Sequence, residues 1–195
     1  MHDENELLWN TMSSFAPISV SDKELLSSKL KEVQFKKKDR LIDAQEIFTG
    51  YVFIKKGLAR LYGYKEGEEK TLFFFREGMF AGSIQSYLSE KPSQLVLEAM
   101  EDIDGLLITK EELDEVFEKS DALAKALMRY TQIRLNGLLH FFSSFVLDSP
   151  EERYEKFIRT EPELLNRVPQ HVIASFLGIT PVSLSRIRKR ISNKR

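Results

Sequence analysis

The amino-acid sequence predicts an α+β fold class: an N-terminal antiparallel β-roll of the jelly-roll kind, a long helix, and a C-terminal all-α helix-turn-helix. Two changes in hydrophobic period carry this prediction, one near residue 31 and one near residue 109. The third observation is a glycine turn between two short apolar-patterned segments at residues 168–190.

Up to about residue 31 the pattern is helical. Leu7, Leu8 and Met12 mark one helix; Leu25, Leu26 and Leu30 mark a second, with Ser21 or Asp22 as its expected N-cap. From Val33 to Ile108 short runs rich in β-branched and aromatic residues take over, at 51–54, 58–64, 71–75, 95–100 and 103–108. Gly57, Gly63, Gly67, Gly78, Gly82 and Gly105 punctuate them, and Lys65-Glu66-Gly67-Glu68 reads as a hairpin turn. Many short strands with close turn signals argue for a roll. Thr109 with Glu112 three residues on forms a capping box for a helix to about Lys119.

Ser120 or Asp121 then opens a longer helix. Leu123, Leu127, Tyr130, Arg134, Leu138, Phe141 and Phe145 recur along one face; Ala124, Met128, Leu135, Leu139 and Phe142 form another. Two apolar faces need two partners. The roll can cover one, and a second copy of the same helix is the economical cover for the other. Asp148-Ser149-Pro150-Glu151-Glu152 marks a break and a new helix start. The expected division is therefore 1–119, 120–147 and 148–195.

Composition narrows the function classes. A chain of 195 residues with 42% hydrophobic and 30% charged residues supports one large domain and one small one. No apolar run approaches the roughly 20 residues of a membrane span. Met1-His2-Asp3-Glu4-Asn5-Glu6 is the wrong flank for a secretory signal, so a cytoplasmic location is expected. Having no cysteine excludes disulfides and thiol redox chemistry. The formal charge of −1 averages two unlike regions. Glu111, Glu112, Asp114, Glu115, Glu118 and Asp121 crowd residues 109–121, whereas Arg186, Arg188, Lys189, Arg190, Lys194 and Arg195 follow the last acid, Glu163.

Residues 168–190 carry the clearest functional signal. Ile173, Ala174, Leu177, Ile179, Leu184 and Ile187 supply apolar contacts for two short helices. Gly178 stands where the chain must turn; Thr180 caps the second helix and Pro181 takes its first turn. Leu184 and Ile187 face inward, leaving Ser183, Arg186 and Arg190 for the opposite face. The second helix of such a motif enters the major groove of DNA. The expected DNA-binding residues are Gln170, Thr180, Ser183, Ser185, Arg186, Arg188, Lys189 and Arg190, with arginine able to pair guanine in bidentate fashion.

These residues resemble the Crp/Fnr superfamily of bacterial transcription regulators. The resemblance spans nearly the whole chain. It is most specific at Ile173-Ala174-Ser175-Phe176-Leu177-Gly178-Ile179-Thr180-Pro181 and Leu184-Ser185-Arg186-Ile187-Arg188-Lys189. With Ser149-Pro150-Glu151-Glu152-Arg153-Tyr154, it looks like the compact branch common in Bacteroidetes-type bacteria. The resemblance implies a cyclic-nucleotide-binding-like sensor roll at 1–119, a dimerisation helix at 120–147 and a DNA-binding domain at 148–195. The implied partners are double-stranded DNA, a second copy of the chain, RNA polymerase and a small-molecule effector of unspecified identity. With the sequence running to Arg195, no β-wing is expected beyond the recognition helix.

Two departures qualify this resemblance. Cyclic-nucleotide-binding relatives carry Gly-x-Phe-x-Gly-Glu and, further on, Arg-Ser or Arg-Thr. Here Gly78-Met79-Phe80-Ala81-Gly82-Ser83 puts Ser83 in the ribose-binding glutamate's place and Ser93-Gln94 in that of the phosphate-binding pair. Hydrogen bonds to charged groups are worth about 1.5–3 kcal/mol each, so losing two predicts roughly 10²–10⁴-fold weaker binding. The implied ligand-site residues are thus Gly82, Ser83, Ile84, Ser93 and Gln94, with neither cAMP nor cGMP expected as cofactor. Arg76 or Lys91 stands as a partial substitute, and Gly82 before a short helix as a source of backbone donors. On the DNA-reading side, many relatives carry Arg and Glu before the shared Arg186, where this chain has Pro181 and Val182.

An enzyme is not expected. A cupin-like metal site needs histidines and a carboxylate on facing strands, but His2, His140 and His171 all fall outside the strand region. No catalytic or metal-binding residue stands out, and the pairs Glu111-Glu112 and Glu151-Glu152 sit at helix N-termini, where the macrodipole explains them. The alternatives are a true cyclic-nucleotide-responsive regulator, or a β-roll protein-interaction module without specific DNA binding.

Overall fold

The computed structural model describes residues 5–45, 47–48 and 50–193; His2, Lys194 and Arg195 lie outside them. Two helices, α1 (Glu6–Ser13) and α2 (Val20–Ser27), precede β1 (Lys31–Phe35), β2 (Arg40–Ile42), β3 (Gly50–Lys56), β4 (Ala59–Lys65), β5 (Glu68–Phe75) and β6 (Phe80–Ala81). Helix α3 (Ile84–Ser89), β7 (Val96–Ala99) and β8 (Ile103–Thr109) complete the strand region. The remainder is helical: α4 (Lys110–Lys119), α5 (Asp121–Leu147), α6 (Pro150–Thr160), α7 (Leu164–Arg167), α8 (Gln170–Phe176) and α9 (Pro181–Asn193). The α+β class is as expected from sequence.

The strands form two four-stranded sheets, in the orders β1-β8-β3-β6 and β2-β7-β4-β5. Their sequence-separated neighbours, such as β1 with β8 and β2 with β7, pair antiparallel. The expected hairpin is present between β4 and β5, where Glu66 and Gly67 both have positive φ, 55° and 79°. That combination is a type I′ turn, whose twist suits a two-residue hairpin. The short strands β1, β2 and β6 lack a strong alternation and were not separated by the sequence pattern.

The chain divides into two compact units. The first comprises Met1–Tyr62 with Phe74–Arg134; the second comprises Gly63–Phe73 with Leu135–Arg195. In the first unit the period of two along β3 and β8 feeds two cores. Val52, Ile54, Ala59, Ala81, Leu97, Ala99 and Ile103 fill the roll interior. Phe53, Leu106 and Ile108 point the other way and pack with Leu8, Trp9, Met12, Leu26, Leu113, Val116, Leu123 and Ala126 from the flanking helices.

Side-chain caps settle the helix starts. Ser19, rather than Ser21 or Asp22, caps α2: its hydroxyl accepts from Asp22 N–H, and the Asp22 carboxylate accepts from Ser19 N–H at 2.9 Å. The reason is spacing, because Asp22 stands three residues after Ser19 and completes a capping box. Thr109 caps α4 with Glu112 as expected. The Ser120 hydroxyl accepts from Leu123 N–H at 3.1 Å at the start of α5 and donates to Asp22. That hydroxyl, followed by the bonds from Ser19, holds the Asp22 carboxyl below its ordinary value.

Along α5, Leu123, Ala126 and Tyr130 are buried. Tyr130 closes the roll side of the helix: its hydroxyl accepts from Phe80 N–H at 3.0 Å, and its ring meets Phe15 and Phe80 edge-on. Burial raises the Tyr130 phenol above its ordinary value, so the hydroxyl stays neutral. Met128, Leu135, Leu139, Phe142 and Val146 are exposed, following one another at intervals of seven, four, three and four along the other side. Leu138, which shares the sequence pattern of Leu123 and Tyr130, is exposed as well. Tyr130→Phe is expected to lower stability by about 1–3 kcal/mol, because Phe80 N–H loses its acceptor. Urea unfolding checks this, with the midpoint falling and the slope unchanged.

Candidate nucleic-acid interface

Helices α8 and α9 arise from the apolar spacing read in the sequence. Val172, Ile173 and Ala174 of α8 are buried, as are Leu177, Leu184 and Ile187. Between the helices Gly178 has φ +68°, and a Cβ there would stand 2.7 Å from Cε1 of Phe145. The position therefore needs glycine for conformation and for closeness. Thr180 closes the other end: its hydroxyl oxygen accepts from Ser183 N–H at 3.1 Å and lies 2.9 Å from the Ser183 hydroxyl.

The burial of Leu184 and Ile187 turns the water-facing stripe of α9 toward Val182, Arg186, Lys189 and Asn193, all exposed. Arg188, Arg190 and Ser185 flank it, also exposed. Arg186, Arg188 and Lys189 make no ion pair or side-chain hydrogen bond among the described residues, so their charge faces solvent. Arg190 differs, because its guanidinium pairs with Glu151 at 3.1 Å. Ser183 is half-buried and engaged with Thr180. The face expected from Ser183, Arg186 and Arg190 is thus rotated in the structure. Gln170 is exposed as the first residue of α8.

A buried arginine ties this motif to the end of α5. Arg153 donates from Nε to the Leu177 carbonyl at 3.1 Å and from an Nη to the Asp148 carbonyl at 2.8 Å. Its guanidinium lies 4.9 Å from the centre of the Phe145 ring. Phe141 stacks on Phe176 at 4.4 Å, and Phe176 meets Phe157. Ser149 and Glu152 form the capping box of α6, and the Ser149 N–H holds the Glu152 carboxyl below its ordinary value. The tip of the β4–β5 hairpin belongs to this second unit. Ser175 Oγ accepts from Thr71 N–H at 3.0 Å and donates to the Glu69 carbonyl at 3.1 Å. Neither Arg153 nor Ser175 stood out as a positioning residue in the sequence. Their roles depend on backbone atoms from other segments, and residue type does not mark those.

The implied ligand-site residues lie in the first unit. Ser83 and Ser93 are buried, and the Ser83 hydroxyl donates to the Ser93 hydroxyl at 3.4 Å. Ser83 Oγ also accepts from Ser86 N–H, capping α3; Ser93 Oγ donates to the Leu95 carbonyl at 2.9 Å and accepts from Leu95 N–H. Both hydroxyls are spent on their own chain. Gly82 is packed against β3, where a Cβ would meet the Tyr51 ring at 2.6 Å and the Gly50 carbonyl at 2.8 Å. Close packing therefore accounts for this glycine. Ile84, Gln94 and Lys91 are exposed. The buried cation of the roll, Arg60, pairs with Glu98 and lies over the Tyr62 ring, on the strand face opposite the interior residues Ala59 and Leu61.

His140 and His171 are exposed. Among the described residues no three histidine or acidic side chains cluster as metal ligands would. No described helix is long and apolar enough to cross a membrane.

The roll, the long helix and the terminal helix pair allow comparison with known proteins. Residues 32–120 match the cyclic nucleotide-binding domain family. FixK2 from Bradyrhizobium japonicum superposes with a TM-score of 0.72 at 18% identity, covering 85% of each chain. A transcriptional regulator of the Crp/Fnr family from Eubacterium rectale gives 0.69 at 19% identity, covering 96% of this chain and 87% of the other. The chain has the Crp/Fnr fold. CooA from Carboxydothermus hydrogenoformans, in a double-mutant form, shares this fold with a TM-score of 0.69 at 19% identity, over 87% of this chain and 79% of its own. No curated protein matches the sequence.

The turn of the Crp/Fnr fold's terminal helix pair gives a direct test. Gly178→Ala is expected to cost about 1–3 kcal/mol, from the left-handed backbone and the contact with Phe145. Thermal or urea unfolding measures it; an unchanged stability would contradict the turn geometry described above.

Proposed function

We propose that this chain is a sequence-specific DNA-binding transcription regulator of the Crp/Fnr type that acts as a homodimer. The observation that carries this reading is the exposed stripe of α9, where Arg186 and Lys189 face solvent without acidic partners. Lysines and arginines that meet phosphates release counterions and make binding salt-dependent. In this reading α9 is the recognition helix, with its first turns toward base edges and Arg188 and Lys189 toward the backbone. Gln170, Thr180, Ser183 and Ser185 frame the same surface, Thr180 and Ser183 chiefly by holding the helix start.

The exposed side of α5 supports pairing with a second copy. Phe142 is 69% and Leu139 57% exposed in the single chain, and a helix-long apolar stripe of this kind is buried when two copies associate. In the functional division that follows, residues 1–119 sense, 120–147 pair and 148–195 bind DNA. A change in how the roll packs on α5 alters the separation of two recognition helices. That separation must be about one DNA turn, or 34–36 Å, to grip a two-fold site. RNA polymerase is the further partner of such a regulator.

The proposed pocket does not hold a cyclic nucleotide, because Ser83 and Ser93 supply neither a carboxylate for ribose nor a cation for phosphate. The match of residues 32–120 to the cyclic nucleotide-binding domain favours the opposite reading, and calorimetry separates the two. Titration with cAMP and cGMP is expected to give no binding in the micromolar range; a micromolar constant overturns this account of the pocket. Selection from a randomised duplex pool is expected to recover a two-fold symmetric motif. On that duplex Arg186→Ala is expected to cost about 1–3 kcal/mol in affinity, and Arg190→Ala less, since Arg190 is paired with Glu151. Equal, negligible losses at both positions would remove α9 as the reading helix.

A further inference from the structure

The stripe that faces outward on α9 begins with an apolar side chain. Val182 is 60% exposed and stands one turn before Arg186, with Lys189 and Asn193 beyond. Isolated exposed valines are ordinary; this one is set apart by standing in line with the cations of a DNA-reading face. Helix stability gives no reason for it, since valine is a poorer helix former than alanine. The polar neighbour Ser183 is not a substitute reader, because it is half-buried and its hydroxyl lies 2.9 Å from that of Thr180. Val182 is also stiff at χ1, so its two methyl groups are held in one direction at little entropic cost.

In the major groove one base edge offers an apolar target, the C5-methyl group of thymine. Residues in the first turn of a recognition helix are those nearest the base edges. We propose that Val182 reads the 5-methyl group of a thymine, one helical turn from the base contacted by Arg186. This inference rests on the DNA-binding reading above and adds a chemical requirement to it. Each half-site contains a thymine recognised by its methyl group and not by hydrogen bonding.

The test uses the full chain and the duplex recovered by selection. Each thymine is replaced in turn by deoxyuridine, which keeps base pairing and removes the methyl group alone. The expected result is one symmetry-related position where the replacement weakens wild-type binding about fourfold, the equivalent of one buried methylene-sized group. Val182→Ala binds the thymine duplex more weakly by a similar factor and shows no further loss on the deoxyuridine duplex. Its salt dependence is unchanged, because no phosphate contact is lost. That non-additivity is the signature of direct contact. If a two-fold motif is recovered but no deoxyuridine position matters, or Val182→Ala loses equally on both duplexes, this proposal falls and the regulator reading stands. If no motif is recovered at all, both fall.

Discussion

Arg153 holds its buried guanidinium between two carbonyl oxygens, that of Asp148 just past the end of α5 and that of Leu177 at the turn before α9. A helix end leaves carbonyls without intrahelical partners, and here one charged side chain serves two such ends. The cost of burying the cation is offset by those bonds and by the Phe145 ring beneath it. The arrangement fixes the path from the long helix into the terminal helix pair. With Phe145 also pressed against Gly178, the turn has no room for a side chain, and α9 leaves it in one direction.

From that direction follows which side chains of α9 meet solvent. Leu184 and Ile187 bury, and Val182, Arg186, Lys189 and Asn193 emerge. The same logic of commitment runs through the roll, where Ser83 and Ser93 use their hydroxyls on Ser86 and Leu95. In the second unit Arg153 and Arg190 are likewise engaged, whereas Arg186, Arg188 and Lys189 stand exposed.

Much of the fold was legible in the sequence because period and capping act locally. The alternation in β3 and β8, the Thr109–Glu112 box, the Lys65–Glu68 hairpin and the Gly178 turn each follow from a few adjacent residues. Ser19 was misassigned in favour of Ser21 or Asp22 because three candidate caps crowd together, and only the reciprocal bond to Asp22 selects one. The exposed face of α9 differs in part from the expected one: Ser183 is half-buried and held by Thr180, and Arg190, though exposed, pairs with Glu151. Interactions of this kind come from residues distant in sequence or from cap geometry, and a helical repeat does not encode them. The glycine at position 82 shows the converse, for a motif residue turned out to serve packing against Tyr51.

The two hydrogen bonds of Ser175 reach Thr71 and Glu69, 104 and 106 residues earlier in the chain. Contacts of such sequence separation close large loops and are among the slowest to form. A hairpin whose two-residue turn is locally encoded is thus completed only after the last helices have been made. During synthesis, at about 5–20 residues per second, Thr71 N–H and the Glu69 carbonyl are left to water for several seconds. A turn encoded in two adjacent residues thus takes its last two hydrogen bonds from a helix 104 and 106 residues further along the chain.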